Sequence, residues 1–124
     1  MAARVLICDN EDVLRALVRA SLEEGDYEFL EAEDGEEAVE LARREQPDLI
    51  VLDMMMPGKS GLEVLRELRT TPGVAETPVV MLTARAQALD REAAEQAGAD
   101  HFVPKPFSPR ELAELVASSL DRRP

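Results

Sequence analysis

Three polar side chains stand immediately after three short apolar runs of the chain. Asp53 follows Leu-Ile-Val-Leu, Thr83 follows Val-Val-Met-Leu, and Lys105 follows Phe-Val-Pro. If these runs are parallel strands, their carboxyl ends meet at one edge of a sheet, where a carboxylate, a hydroxyl and an ammonium can cooperate. A carboxylate can attack a phosphoryl group, and the other two groups can bind its oxygens. The spacing therefore predicts a phosphate-handling site with Asp53 as acceptor and with Thr83 and Lys105 beside it.

A further acid, Asp9, follows the run Val-Leu-Ile-Cys, and Asn10 stands next to it. If that run is the neighbour of the strand that ends at Asp53, the two carboxylates lie side by side. Oxygen ligands of this kind suit a hard octahedral cation such as Mg²⁺. We therefore expect a magnesium site made by Asp9, Asp53 and the loop after Asp53, to which Asn10 can add only a neutral oxygen.

The apolar runs alternate with amphipathic stretches. Continuous, partly β-branched runs at 5–8, 49–52 and 79–82 indicate central strands buried on both faces. The more polar Tyr27–Ala32 and the proline-containing His101–Pro104 indicate edge strands. Helices are predicted over 13–22, 35–45, 61–69, roughly 86–97 and 112–120. Strict alternation predicts an α/β fold, a (βα)5 doubly wound, five-stranded parallel sheet. The flavodoxin-like order 2-1-3-4-5 places the two weaker strands at the edges, as their composition requires.

Composition narrows the functional classes. The 124 residues have the length of a single domain, and a net charge of −12 disfavours direct contact with nucleic acid or an anionic membrane. The single cysteine, Cys8, lies in an apolar run and suits a buried position in a reducing compartment. Only four apolar residues follow Arg4, so we expect no signal peptide at this position, and no apolar run approaches membrane-spanning length. We expect a cytoplasmic protein.

Three ordered motifs carry a family resemblance. They are Leu-Ile-Val-Leu-Asp53-Met-Met-Met56-Pro57-Gly-Lys-Ser-Gly61, then Val-Val-Met-Leu-Thr83-Ala84, and then Gly98-Ala-Asp-His-Phe102-Val-Pro-Lys105-Pro106-Phe107. Together they resemble the receiver domain of two-component response regulators. The resemblance covers about residues 4–120, so the chain 1–124 is expected to be one receiver domain.

The resemblance implies a signalling domain rather than an enzyme. Asp53 would take a phosphoryl group from a sensor histidine kinase or a phosphotransfer protein when Mg²⁺ is bound. Self-phosphorylation from small phosphodonors and slow autodephosphorylation would follow. The backbone carbonyl of Met55 would join the metal ligands, and the Lys105-Pro106 peptide would be cis. Thr83 and Phe102 would form the switch, and the fourth helix, fifth strand and fifth helix would bind a downstream protein or effector domain.

Asn10 departs from the family pattern, which has a second acid at this position. The lost charge predicts weaker Mg²⁺ binding and leaves open an alternative, a pseudo-receiver that acts as a phosphate-independent interaction module. A phosphatase of the haloacid dehalogenase type is disfavoured, because Met55 stands where its general acid would be. A flavin-binding flavodoxin is disfavoured as well, because aromatic residues make up only 3% of the chain and no glycine-rich phosphate loop follows the first strand.

Overall fold

The computed structural model describes residues 2–84 and 88–121, without the side chains of 88–90. Five strands alternate with five helices along these residues. The strands are β1 (Ala3–Cys8), β2 (Tyr27–Ala32), β3 (Leu49–Asp53), β4 (Val79–Thr83) and β5 (His101–Pro104). The helices are α1 (Asp12–Ser21), α2 (Gly35–Glu45), α3 (Gly61–Arg69), α4 (Ala88–Ala97) and α5 (Pro109–Asp121). Residues 86 and 87, where the predicted fourth helix starts, lie outside the described part.

The strands form one parallel sheet in the order β2-β1-β3-β4-β5, which confirms the predicted flavodoxin-like topology. Its register aligns Cys8 with Leu52, and Asp53 with Leu82. Every residue of β3 and β4 is buried, as expected of strands covered on both faces. Because all the strands run in one direction, the carboxyl ends of β1, β3, β4 and β5 lie along one edge of the sheet.

The core has two halves, one on each face of the sheet. On one face, Leu6 and Ile50 pack with buried residues of α2, α3 and α4. On the other, Ile7 and Val51 pack with buried residues of α1 and α5. Successive strand residues point to opposite faces, so each strand contributes to both halves. The sheet is thereby covered by a layer of helices on each face. Within the described residues, no helix is both long and apolar enough to cross a membrane.

The fifth helix begins three residues earlier than its apolar pattern predicts. It starts at Pro109, and the Ser108 hydroxyl accepts a hydrogen bond from the Glu111 amide at 3.2 Å. Proline is favoured at the first helical position because it has no amide to leave unpaired. Capping chemistry, rather than apolar spacing, therefore sets this boundary.

Arg69, the last residue of α3, holds together the segment that precedes β4 and the segment that follows α4. Its guanidinium donates to the carbonyls of Gly98 and Thr77, each at 2.7 Å, and contacts the Asp100 carboxylate at 3.2 Å. Asp100 in turn accepts a hydrogen bond from the Val79 amide at 2.8 Å. The side chain is only 19% exposed, and burial lowers the pKa of Arg69. This arginine ties the end of α4 to the start of β4.

Candidate functional site

Asp53 is the last residue of β3, and its backbone is fixed on both sides. The amide of the next residue, Met54, donates to Leu82 of β4 at 2.9 Å, which extends the strand pairing past Asp53. The Met54 carbonyl accepts from the Gly61 amide at 2.8 Å. A side chain at Gly61 would place its Cβ 2.2 Å from the Asp53 carbonyl oxygen. The absence of a side chain at position 61 therefore allows α3 to begin directly against the end of β3.

Lys105 joins the two predicted carboxylates. Its Nζ lies 3.0 Å from Oδ1 of Asp53 and 3.2 Å from Oδ2 of Asp9. Its backbone amide donates to the Thr83 carbonyl at 2.7 Å, and the Lys105-Pro106 peptide is cis, as the resemblance implies. The Asp9 and Asp53 side chains are 3% and 5% exposed, and that of Lys105 is 15% exposed. The structure thus brings together three of the predicted site residues in a largely dehydrated cluster.

Burial and mutual charge set the electrostatics of this cluster. Burial raises the pKa of Asp53, and the Asp9 charge raises it further, although Lys105 and a backbone hydrogen bond from Met55 oppose the change. Burial alone lowers the pKa of Lys105, but its pairing with Asp53 and Asp9 outweighs this effect and the pKa is raised. The lysine is therefore held as a cation between two acids.

The two predicted switch residues lie on the strands beyond β3, on the side of β3 away from β1. Thr83 is fully buried at the end of β4, next to β3 in the sheet. Phe102 lies one strand further out, in β5, where it is half-buried against the core. The guanidinium of Arg91, from α4, lies 5.4 Å from the centroid of the Phe102 ring, a cation–π contact. The ring thus belongs to the α4–β5 surface.

The oxygens of the site fit a hard cation. Asp9 and Asp53 point an oxygen each at a single point, which the Lys105 ammonium occupies, and carboxylate oxygens are ligands that Mg²⁺ accepts. Across the described residues, however, no three His, Cys, Asp or Glu side chains are grouped to hold a metal. Asn10 is exposed, as is Met55, whose side chain is not buried in the loop. The site thus offers a cation two carboxylates, and the rest of its ligands must be neutral oxygens.

Sequence reasoning missed two residues that shape this site. One is Gly61, whose close approach to Asp53 depends on how α3 meets β3. The other is Arg15, an arginine on the apolar face of α1 that donates to the Asp9 carbonyl at 2.6 Å. Its position three residues before buried Val18 was the available signal, since a charged residue on that face needs partners when it is buried.

Comparison with known proteins gives a consistent result. The family model described as response regulator receiver domain matches residues 5–117. The phosphate regulon transcriptional regulatory protein PhoB of Escherichia coli K12 is 39% identical over 122 residues, which are 98% of this chain and 53% of that protein. PhoB of Shigella flexneri matches equally well. The chain therefore spans about half the length of these curated relatives.

Solved structures agree in fold. A putative response regulator from Chloroflexus aurantiacus superposes with a TM-score of 0.92 at 31% identity, covering 98% of this chain and 100% of that one. The receiver domain of the sensor histidine kinase PA1611 from Pseudomonas aeruginosa superposes with a TM-score of 0.89 at 29% identity, covering 98% of this chain and 99% of that one. That structure holds a magnesium ion coordinated in its active site cleft.

Proposed function

Because this chain belongs to the response regulator receiver domain family, we propose that it accepts a phosphoryl group on Asp53 in a Mg²⁺-dependent reaction. The donor is the phosphohistidine of a sensor histidine kinase or of a phosphotransfer protein. One observation carries the proposal: the buried carboxylates of Asp9 and Asp53 converge on the ammonium of Lys105 at the carboxyl edge of the sheet. We extend the proposal to a single receiver domain over residues 1–124, located in the cytoplasm.

In the proposed reaction, an Asp53 carboxylate oxygen attacks the phosphorus atom. The new O–P bond forms as the P–N bond of the phosphohistidine breaks, and the bonding electron pair leaves with the imidazole nitrogen. Asp53 must react as the carboxylate, and the neighbouring Lys105 favours that form. Lys105 and the hydroxyl of Thr83 then bind the transferred oxygens, since positioning and charge stabilisation dominate phosphoryl transfer.

A bound Mg²⁺ would neutralise charge on the phosphoryl oxygens. Asp9 and Asp53 would hold it, together with the backbone carbonyl of Met55 and, as a neutral ligand, Asn10. The two carboxylates of the site support this assignment, whereas the exposed Asn10 side chain adds no charge. We therefore expect a metal site that is weaker than one with three acids.

The signal is proposed to leave through α4, β5 and α5. Thr83 would respond to the phosphoryl group, and Phe102 would change its packing on this surface. A groove of about 310 Å³ between β5 and α5 supports a protein-binding role. It is lined mainly by Phe102, Val103, Phe107, Glu111, Leu112 and Leu115. The partner is a downstream protein or an effector domain.

A phosphate-independent pseudo-receiver is the second candidate. Only Asn10 favours it, since the missing charge weakens the case for a bound metal. A haloacid dehalogenase-type phosphatase has less support, because Met55 provides no acid at the required position and its side chain is 54% exposed. Slow loss of the phosphoryl group, rather than rapid turnover, is expected without a general acid.

The test is the intact mass of the protein after incubation with acetyl phosphate and Mg²⁺. We expect a gain of one phosphoryl group that is lost in Asp53→Ala and in metal-free buffer. Asp26→Asn is the matched control, because Asp26 is an exposed aspartate beside the opposite end of the sheet. No gain in folded wild-type protein at high Mg²⁺ would favour the pseudo-receiver, and a gain that persists in Asp53→Ala would place the acceptor elsewhere.

A further inference from the structure

Arg15 is a buried arginine of α1 whose side chain is only 8% exposed. Its Nη1 donates to the backbone carbonyl of Asp9 at 2.6 Å, and its Nε donates to Glu31 at 3.0 Å. Its Nη2 pairs with Asp12 and lies 3.4 Å from Glu33. One guanidinium therefore joins three carboxylates to the strand end that bears Asp9.

The carboxylates hold the guanidinium in place. Glu31 belongs to β2 and Glu33 follows that strand, whereas Asp12 lies in the first turn of α1. A planar fork with partners on two elements has little freedom to move. The Asp9 carbonyl, bonded to the same fork, is therefore fixed relative to both β2 and α1.

Asp9 is also fixed through its side chain. Oδ1 accepts a hydrogen bond from the Glu11 amide at 2.9 Å, and Oδ2 faces Lys105 at 3.2 Å. The carbonyl, Oδ1 and Oδ2 thus each have one partner, and the partner of the carbonyl is Arg15. A rotation of the residue 9–11 backbone would break these contacts together.

From this arrangement we propose that Arg15 is a positioning residue for the metal site: by holding the backbone of residues 9–11, it keeps Oδ2 of Asp9 directed at the point where Asp53 also meets the Lys105 ammonium. The inference rests on the proposed function, because it concerns the cation that the two carboxylates bind. Arg15 touches neither Asp53 nor Lys105 in the described contacts, so it acts only through Asp9. Residues that orient metal ligands in this way typically change metal affinity by about 10-fold to 100-fold when they are replaced.

Arg19 provides a matched control. It lies one turn further along α1, pairs with the same Glu31 at 2.8 Å, and stacks over Phe29 at 5.4 Å. None of its described contacts reaches residues 9–11. Arg15→Gln and Arg19→Gln remove the same charge and both disturb Glu31, so only the first should affect the metal site.

The experiment measures Mn²⁺ binding to the unphosphorylated protein by electron paramagnetic resonance. We expect Arg15→Gln to weaken binding by about tenfold. Arg15→Lys keeps the charge and most of the volume, but an ammonium cannot replace the fork, so weakening by about threefold or more is expected. Arg19→Gln should stay within about twofold of wild type. In NMR spectra, the Glu11 amide should exchange faster with solvent in both Arg15 variants and not in Arg19→Gln.

Removing the positive charge of Arg15 makes the surroundings of the metal site more negative, which by itself strengthens cation binding. The weakening expected for Arg15→Gln is therefore opposite in sign to this simple electrostatic effect. Unchanged or tighter Mn²⁺ binding in folded Arg15→Gln would overturn the proposal, as would equal weakening in Arg19→Gln. If Arg15→Gln does not fold, the Mn²⁺ affinity of Arg15→Lys is compared with that of wild type and of Arg19→Gln in the same way. Wild-type protein that binds Mn²⁺ but gains no phosphoryl group would overturn the proposed function alone, whereas wild-type protein that binds no Mn²⁺ would overturn this inference.

Discussion

Replacing Lys105 by methionine should destabilise the protein in a way that depends on pH. The change keeps much of the side-chain length but removes the cation that Asp9 and Asp53 share. Both carboxylates stay buried, and each loses an ion pair of 3.0 to 3.2 Å. Removing one partner of a buried pair costs more than the pair itself contributes, because the remaining charge has neither water nor counterion.

The geometry sets the expected size of the effect. Since one ammonium contacts both acids, the contacting oxygens are no more than about 6 Å apart. At that distance, two unit charges repel by about 3 kcal/mol with an effective dielectric constant of about 20. Breaking a buried ion pair typically costs about 3–5 kcal/mol. We therefore expect Lys105→Met to lower the free energy of unfolding by about 3 kcal/mol at neutral pH.

The pH dependence follows from the direction of the pKa shifts. The pKa of Asp53 already lies above its ordinary value of 3.8 because of burial, and loss of Lys105 raises it further. An acid with a raised pKa in the folded state costs stability once it ionises, so the deficit grows as pH rises above 3.8 and shrinks as pH falls. The raised pKa of Lys105 means that its stabilisation of the wild type is lost only above 10.5. Between pH 3.8 and pH 10.5, the ionisation of the carboxylates therefore controls the difference in unfolding free energy between Lys105→Met and wild type.

Urea unfolding followed by circular dichroism, at about pH 7 and about pH 4.5, measures the deficit. Lys59→Met is the control, because Lys59 is the chain's only other lysine and its pair with Glu67 is far more exposed than the Lys105 cluster. A loss below about 0.5 kcal/mol is expected for it. Adding Asp53→Asn to Lys105→Met should recover stability, because one unpaired charge is removed. A deficit for Lys105→Met below about 1 kcal/mol, or one that does not narrow at the lower pH, would refute the electrostatic reasoning.

Three further results are expected. Asn10→Asp should tighten Mg²⁺ binding by about tenfold, or 1.4 kcal/mol, in a direct titration, and an unchanged affinity would mean that another nearby acid already supplies the charge. Gly61→Ala should lower the free energy of unfolding by about 3 kcal/mol, because its Cβ would meet the Asp53 carbonyl oxygen at 2.2 Å; a neutral result in urea unfolding would show that α3 can shift away. Arg69→Met should cost about 2 kcal/mol, because the partly buried carbonyls of Gly98 and Thr77 lose their donor; a loss below about 0.5 kcal/mol would mean that water replaces the guanidinium.

The sequence predicted those parts of the molecule that depend on local pattern. Continuous apolar runs identified β3 and β4, alternation with helices indicated parallel strands, and the weaker composition of β2 and β5 placed them at the edges, in the order that the structure has. That order alone placed Asp9, Asp53 and Lys105 at one edge. Their contact within 3.2 Å required the structure, since it depends on the reach and direction of a flexible lysine.

Features that depend on distant contacts were not predictable. The burial of Arg15 relies on Glu31, 16 residues away on β2, and no periodic pattern within α1 reveals that partner. The close packing of Gly61 depends on where α3 meets β3. The apolar spacing predicts too late a start for α5, because the Ser108-Pro109 start signal lies before the first apolar residue of the pattern.

The hydrogen bond from Gly61 to Met54 also bears on how this protein can diversify. It closes the base of the loop 55–60, because the Met54 carbonyl oxygen and the Gly61 amide nitrogen that flank the loop lie 2.8 Å apart. Met55, Pro57 and Gly58 of this loop face solvent. Compact loops whose bases are closed by a hydrogen bond tolerate changes at their tips, because the secondary structure beneath them does not move. Evolution or design can therefore vary the solvent-facing residues of this loop and alter which molecules reach Asp53. The Asp53 carboxylate itself would keep its place at the end of β3.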